Sequence, residues 1–321
     1  MRSRTPALAL MGLLVGASVL SSVTASAMPV QPPEGHGRPD HAGSPEGLKP
    51  GDVLEDHGVS VVVPEPGVGV YVEAIMPRTE VSEFLEVATQ PDGTVTVESY
   101  GSEGDADTAP GAGPLNPFDN GCSDGAYNLH SWKRYNTLSW YYNSAATPSY
   151  LTVTDVENAF KKGTTNITQA FNDCGFSDNV TASQSYAGRA STDIQVTSAG
   201  NCGTADSRSV AKFGSLSNGS LATTCTWYTT GTSPYTATTS DVRFNTAFEW
   251  ATTTLQCVSN GGDGYMIEDV MTHERGHNFG IAHVSESNHE WLTMSTNSQG
   301  PCDTSSSTLG LGDYNGLNVR Y

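Results

Sequence analysis

The sequence predicts an α+β protein in which strands and two long helices share one C-terminal unit, behind a smaller N-terminal unit that is mostly β or disordered. Three observations carry this. Short runs of β-branched and aromatic residues recur between loops rich in Ser, Gly and Asn. Two longer stretches, 156–171 and from about residue 265, instead space their apolar residues at helical intervals. The composition also breaks near residue 120. Residues 28–120 hold seventeen acids, three bases and no cysteine, so they carry −14 of the chain's net −19, while all six cysteines lie beyond.

Residues 1–27 read as a secretory signal peptide. Arg2 and Arg4 begin it, the apolar run 7–20 is too short to span a bilayer, and Ala25-Ser26-Ala27 fits a cleavage site. The mature protein is therefore expected outside the cell, with no membrane partner. Residues 28–120 follow as an acidic segment with strand-like stretches at 59–63, 68–75 and 94–100 and a turn at Pro91-Asp92-Gly93. Its flanks, 31–51 and 101–117, are rich in Pro and Gly and read as linkers. A small β unit and a disordered acidic spacer both fit. The position after the signal peptide points to a propeptide.

Residues 121–321 are long enough for a substantial core. Residues 134–143 predict a first strand with Leu138, Trp140 and Tyr142 on one face. Thr154-Asp155-Val156-Glu157 reads as a capping box opening a helix. Val156, Phe160, Gly163, Ile167, Ala170 and Phe171 continue that helix toward Cys174-Gly175. Strands are expected at 179–184 and 192–198, loops with short strands over 199–240, and a strand at 241–245. The six cysteines of an exported chain imply three disulfides. Fifteen pairings are possible, and from among them we take sequence neighbours as a guess, Cys122–Cys174, Cys202–Cys225 and Cys257–Cys302. The helix from about Tyr265 has Glu268 and Asp269 near its start and Met266, Val270, His273 and His277 along one side.

That last helix opens the motif around which the chain is organised, His273-Glu274-Arg275-Gly276-His277-Asn278-Phe279-Gly280-Ile281-Ala282-His283. His273 and His277 are four apart, so their imidazoles share a helix face and can grip one zinc ion. Gly280 can end the helix in a left-handed turn, and His283 then returns as a third ligand. Three protein ligands leave a position for water, which marks a catalytic site. Glu274 lies beside the pair, placed to act as general base. The five fixed positions arise by accident with a probability of about 10⁻⁵ over such a chain.

The motif resembles that of the metzincin zinc endopeptidases, which couple it to a downstream methionine turn. Leu292-Thr293-Met294-Ser295 supplies that turn, so the resemblance implies that Met294 packs beneath the metal without ligating it. Some metzincins place a further tyrosine ligand two residues later. Here that position is Thr296, and no such ligand is expected. The ending, with Asp313, Gly316 and Tyr321, resembles the last helix of the matrixin branch, although Gly312 replaces one acid of its usual pair. Arg275 stands where an apolar residue is usual and is expected to face solvent or a carboxylate. The phrasing is most similar to secreted actinobacterial members. The resemblance implies a twisted mixed sheet backed by two helices, a cleft beside an edge strand, and a pocket wall over 296–307.

Matrixins silence their zinc with a propeptide cysteine, and residues 28–120 contain none. A carboxylate or histidine reaching the metal, or steric blocking, remains open. His36, His41, His57 and several acids are available. Structural Ca²⁺ is a second ion that the resemblance allows, although no EF-hand loop is present. His289 reads as a surface or loop-pinning histidine, with a polar group at the cleft or a second metal ligand as alternatives, and His130 has no visible partner.

The expected function is a secreted, monomeric, zinc-dependent endopeptidase acting on proteins or peptides through an activated water, with Glu274 as base. The alternative is a secreted binding or adhesion module that keeps the zinc but not turnover. The net charge of −19 argues against a nucleic-acid partner.

Overall fold

The computed structural model describes residues 41–43, 47–77, 82–100, 121–284, 289–296, 298 and 300–321. The signal-peptide expectation, His36 and the linker over 101–117 lie outside them. The N-terminal segment contributes β1 (His41–Gly43), β2 (Val53–Asp56), β3 (Val59–Val62), β4 (Val68–Ile75), β5 (Glu83–Thr89) and β6 (Val95–Tyr100). Beyond residue 120 come β7 (Asn128–Leu129), β8 (Trp132–Lys133), β9 (Leu138–Asn143), α1 (Val153–Thr168), β10 (Gln184–Arg189), β11 (Ser209–Gly214), β12 (Ala222–Thr229) and β13 (Tyr235–Asn245). The chain continues through β14 (Trp250–Ala251), α2 (Thr254–Ser259), β15 (Tyr265–Met266), α3 (Ile267–Asn278), β16 (Ile281–Ala282) and α4 (Leu311–Arg320).

A mixed sheet runs in the order β1-β6-β5-β4-β12-β13-β11-β9-β10, with β8 paired to β13. Strands β10, β9, β11 and β13 are mutually parallel, and β12 is antiparallel to β13. The α+β expectation therefore holds. The acidic segment is a β unit here, and it joins this sheet. β4 lies antiparallel along the whole of β12, from Val68 opposite Thr229 to Ile75 opposite Ala222. The expected turn at Pro91-Asp92-Gly93 closes the β5–β6 hairpin, with Gln90 and Thr94 bonded backbone to backbone.

Period-two alternation sorts the side chains onto two faces. Leu138, Trp140 and Tyr142 face α1 and α3, where they pack with Phe160, Phe213, Phe244, Val270 and Met271. On the opposite face Val70, Val72 and Ala74 of β4 join Val61, Val87, Cys225 and Trp227. Each fully buried aliphatic or aromatic side chain in these layers stabilises the fold by about 1.5–3 kcal/mol relative to exposure.

Several boundaries differ from the sequence reading. α1 starts earlier than the box at Thr154, because the pattern repeats two residues upstream. Thr152 is the cap, and its hydroxyl accepts from Asp155 N at 3.1 Å. The helix stops at Thr168, short of Cys174, with Ala170 at φ 44°, and Phe171 is exposed. The strand expected at 179–184 instead begins at Gln184. It is an edge strand half-exposed along its length, so it lacks the apolar signature. Residues 192–198 form no strand and make an isolated bridge at Val196. The stretch 199–240, expected to be mainly loop, holds eight-residue β12 and much of eleven-residue β13. Their buried threonines suit a pleated surface although they read as polar. Strands β2 and β5 were not expected at all. The three disulfides, by contrast, pair sequence neighbours as anticipated.

α1 and α3 touch at Gly163. A Cβ there would lie 2.8 Å from Met271 Cβ and 2.9 Å from both Glu268 O and Thr272 N. Alanine is intrinsically about 1 kcal/mol better than glycine inside a helix. The contact reverses that preference, because two of the three opposing atoms are backbone and cannot rotate away. Gly163→Ala should destabilise the chain by about 1–3 kcal/mol. A melting temperature equal to or above wild type would show that the helices can separate freely here.

Candidate metal centre

α3 places His273 and His277 one turn apart, and its end delivers His283. Gly280, at φ 86°, turns the chain, and any Cβ there would strike the Trp132 carbonyl. β16 then pairs antiparallel with β7, and Asn128 Nδ2 donates to the His283 carbonyl at 2.8 Å. The outcome is a triangle of Nε2 atoms, with His273 and His277 3.1 Å apart, His273 and His283 3.1 Å, and His277 and His283 3.2 Å. All three side chains are buried.

The tautomers follow from the other ring nitrogens. His273 Nδ1 lies 2.7 Å from the Thr293 carbonyl, and His277 Nδ1 lies 2.9 Å from the Ile281 carbonyl. A carbonyl only accepts, so each Nδ1 carries the proton and each neutral ring turns an Nε2 lone pair toward the centre. Carbonyl-anchored imidazoles of this kind are the usual supporting arrangement for metal-binding histidines.

A fourth donor enters from the N-terminal segment. Glu73 on β4 puts Oε1 3.0 Å from His273 Nε2 and 2.6 Å from His283 Nε2, and Oε2 2.5 Å from His277 Nε2. Four buried residues, Glu73, His273, His277 and His283, thus converge into a group that could hold a metal ion. With the rings neutral, inward lone pairs facing a carboxylate are acceptors facing acceptors, and either a cation at their centre or protonation of the rings resolves that conflict. Burial opposes the charge on Glu73, but the three imidazoles hold its carboxyl well below the usual range. Burial opposes protonation of His273, but Glu73, the Thr293 carbonyl and Asp269 together raise its pKa, whereas burial takes that of His277 down to about 4.

Glu274 lies beside this group and behaves oppositely. Burial, then the charge of Glu73, push its carboxyl well above the ordinary value. Both its oxygens are buried and have no hydrogen-bond partner among the described residues. A native protein rarely leaves a carboxylate so, and such an orphan marks a place where another molecule belongs.

Met294 is buried under α3, with its sulfur against Gly276. The turn carrying it is pinned by Asp313, whose carboxylate accepts from Thr293 N (2.9 Å), Met294 N (3.1 Å) and Gly310 N (2.9 Å). Gly312 has no room for the acid expected there, because a Cβ would collide with the Ala126 carbonyl. Thr296 meets the N-terminal segment through its carbonyl, which accepts from Ser82 N at 3.3 Å.

Arg275 does not face solvent. It is fully buried, donates to Thr164 Oγ1 (3.2 Å) and Asn278 Oδ1 (2.6 Å), and lies over the Trp140 ring. Burial lowers its pKa to about 9. His289 pairs with Asp124 at 2.9 Å, outside the four-residue group. His57 pairs with Asp56, also away from it. His130 stacks on Trp132 and approaches His277 Nδ1 at 3.3 Å. Glu73 is the residue that sequence reasoning missed. Its one signal is a lone acid inside the apolar strand Val68–Ile75.

No protein-family model matches the chain, and no curated protein matches it at significance.

The full-length chain should bind one equivalent of Co²⁺, detected by its visible absorption, and His277→Ala should bind none. Equal uptake by both proteins would place the metal elsewhere.

Proposed function

We propose that this chain is a secreted zinc-dependent endopeptidase of matrixin-like metzincin type, produced with its own inhibitor. One observation carries the reading. Three imidazoles converge beside a buried carboxylate, Glu274, that no described residue satisfies. Zinc suits the donors, since tetrahedral ligands about 2.0–2.1 Å from an ion lie about 3.3 Å apart, close to the separations here. Bound there, it supplies Lewis-acid polarisation of a peptide carbonyl and of a water molecule.

The chain's own residues do the rest. Glu274 takes the proton of the attacking water and returns it to the departing amine. The carbonyls of Thr293 and Ile281 fix the two helix imidazoles in the metal-accepting tautomer. Asp313 holds the methionine turn against the floor of the site. Glu73 occupies the position a water would need, and β4 covers the sheet edge along which an extended substrate would bind. The N-terminal segment is thus inhibitory in cis, and the three disulfides suit an exported protein.

In the secreted, processed protein, Glu274→Gln should keep its zinc content and lose casein cleavage by about 10²–10⁴-fold. Unchanged turnover would remove Glu274 from the chemistry. Full zinc loading with no cleavage of any substrate by the wild type would favour the non-catalytic binding module. Unprocessed full-length protein, with β4 in place, should cleave casein at least about tenfold more slowly than the processed form. A precursor as active as the processed form would end the inhibitory role.

A further inference from the structure

The inhibitory strand also shows how a substrate is read, an inference that rests on the function proposed above. β4 aligns eight residues antiparallel to β12, in full register, as an added peptide strand would. Within it Tyr71 and Glu73 are two residues apart and therefore point to the same face. Glu73 meets the histidines, and Tyr71, fully buried, enters a slot beside them.

The slot is built from the C-terminal unit. Tyr71 packs with ring centroids 4.5 Å from His130, 5.2 Å from Trp132 and 5.6 Å from His277. His130 stacks on Trp132 at 4.0 Å, Trp132 stacks on Tyr228 at 4.7 Å, and Tyr228 stacks on Tyr235 at 5.7 Å. A row of flat rings therefore begins at a metal-ligating histidine and runs along the line of β4. Beyond Tyr71 itself, the N-terminal segment adds Phe84, whose centroid lies 5.8 Å from Tyr71. The rings of His130, Trp132, Tyr228 and Tyr235 all belong to the C-terminal unit, so departure of β4 removes none of them from the path of a replacing strand.

We propose that His130, Trp132 and Tyr228 form a specificity subsite that selects peptides with an aromatic side chain two residues before the residue lying over the metal. Tyr71 occupies that subsite in the precursor. A planar ring gains face and edge contacts with this row that alanine or a charged side chain cannot make. The preference should reach about 10–100-fold in kcat/KM for an aromatic over alanine.

Cleavage-site mapping with a random peptide library and the secreted, processed protein tests this directly. Enrichment of Tyr, Phe or Trp at one position within the three residues before the cut supports the subsite, and Trp132→Leu should flatten it. Cleavage with no aromatic preference on that side overturns it. If no peptide is cleaved, the endopeptidase reading fails, and a binding measurement decides the subsite separately. The full-length chain, nicked between residues 101 and 120 and left as a complex, is challenged with synthetic Val-Gly-Val-Tyr-Val-Glu-Ala-Ile and its Tyr→Phe and Tyr→Ala forms. Loss of hydrogen-exchange protection in β4 reports displacement. Displacement by the Tyr and Phe peptides at concentrations at least tenfold below the Ala peptide supports the subsite. Equal potency, or no displacement by any of them, overturns it.

Discussion

Three imidazoles that, when neutral, aim their lone pairs at one point and face a carboxylate form an arrangement of acceptors without donors. In a dry interior such a cluster repels itself, and a cation is the simple remedy. Much of the surrounding structure serves to hold this unfavourable geometry. Helical spacing sets two of the rings, and backbone carbonyls fix their tautomers. The turn at Gly280, the short β16–β7 ladder and Asn128 bring the third. α1, meeting α3 at Gly163, backs the helix from the other side.

Strand β4 answers two demands with one alternation. Val70, Val72 and Ala74 face an apolar layer shared with β3, β5 and β12. Tyr71 and Glu73 face the histidines. The strand that carries Glu73 is thereby held by a full backbone ladder and a buried hydrophobic face, not by the carboxylate alone. On the proposed reading, relief of inhibition means removing a sheet strand, and a cut in the chain is only its first step. The contacts of Ser82 with Thr296, and of Met76 with Ser298 (3.4 Å), extend the cover across the segment expected to form a pocket wall.

Where the sequence reading fell short, the cause was mostly tertiary. Edge strand β10 pairs on one side, so it needs no apolar alternation and shows none. β12 is rich in threonine because Thr224 and Thr226 accept from Asn278 Nδ2 at 3.0 Å, tying the sheet to α3. Polar composition suggested loop, whereas the hydroxyls are internal hydrogen-bond partners. Arg275 is buried for a comparable reason, since hydroxyl, amide and indole partners meet it from α1, α3 and β9.

Local spacing and composition by themselves determined the three histidines, Glu274 as their neighbour, the presence of three disulfides and the α+β class, while the choice of sequence neighbours among fifteen disulfide pairings was a guess that the fold bears out. These depend on helix geometry, on short chain separations or on composition, which a linear reading can measure. Only the tertiary structure decided that Glu73, two hundred residues before His273, completes the group, and that the acidic segment contributes strands β1, β4, β5 and β6 to the same sheet. Strand pairing carries no signal of which distant edge it will meet. An acid in an apolar strand acquires a partner only when the sheet forms.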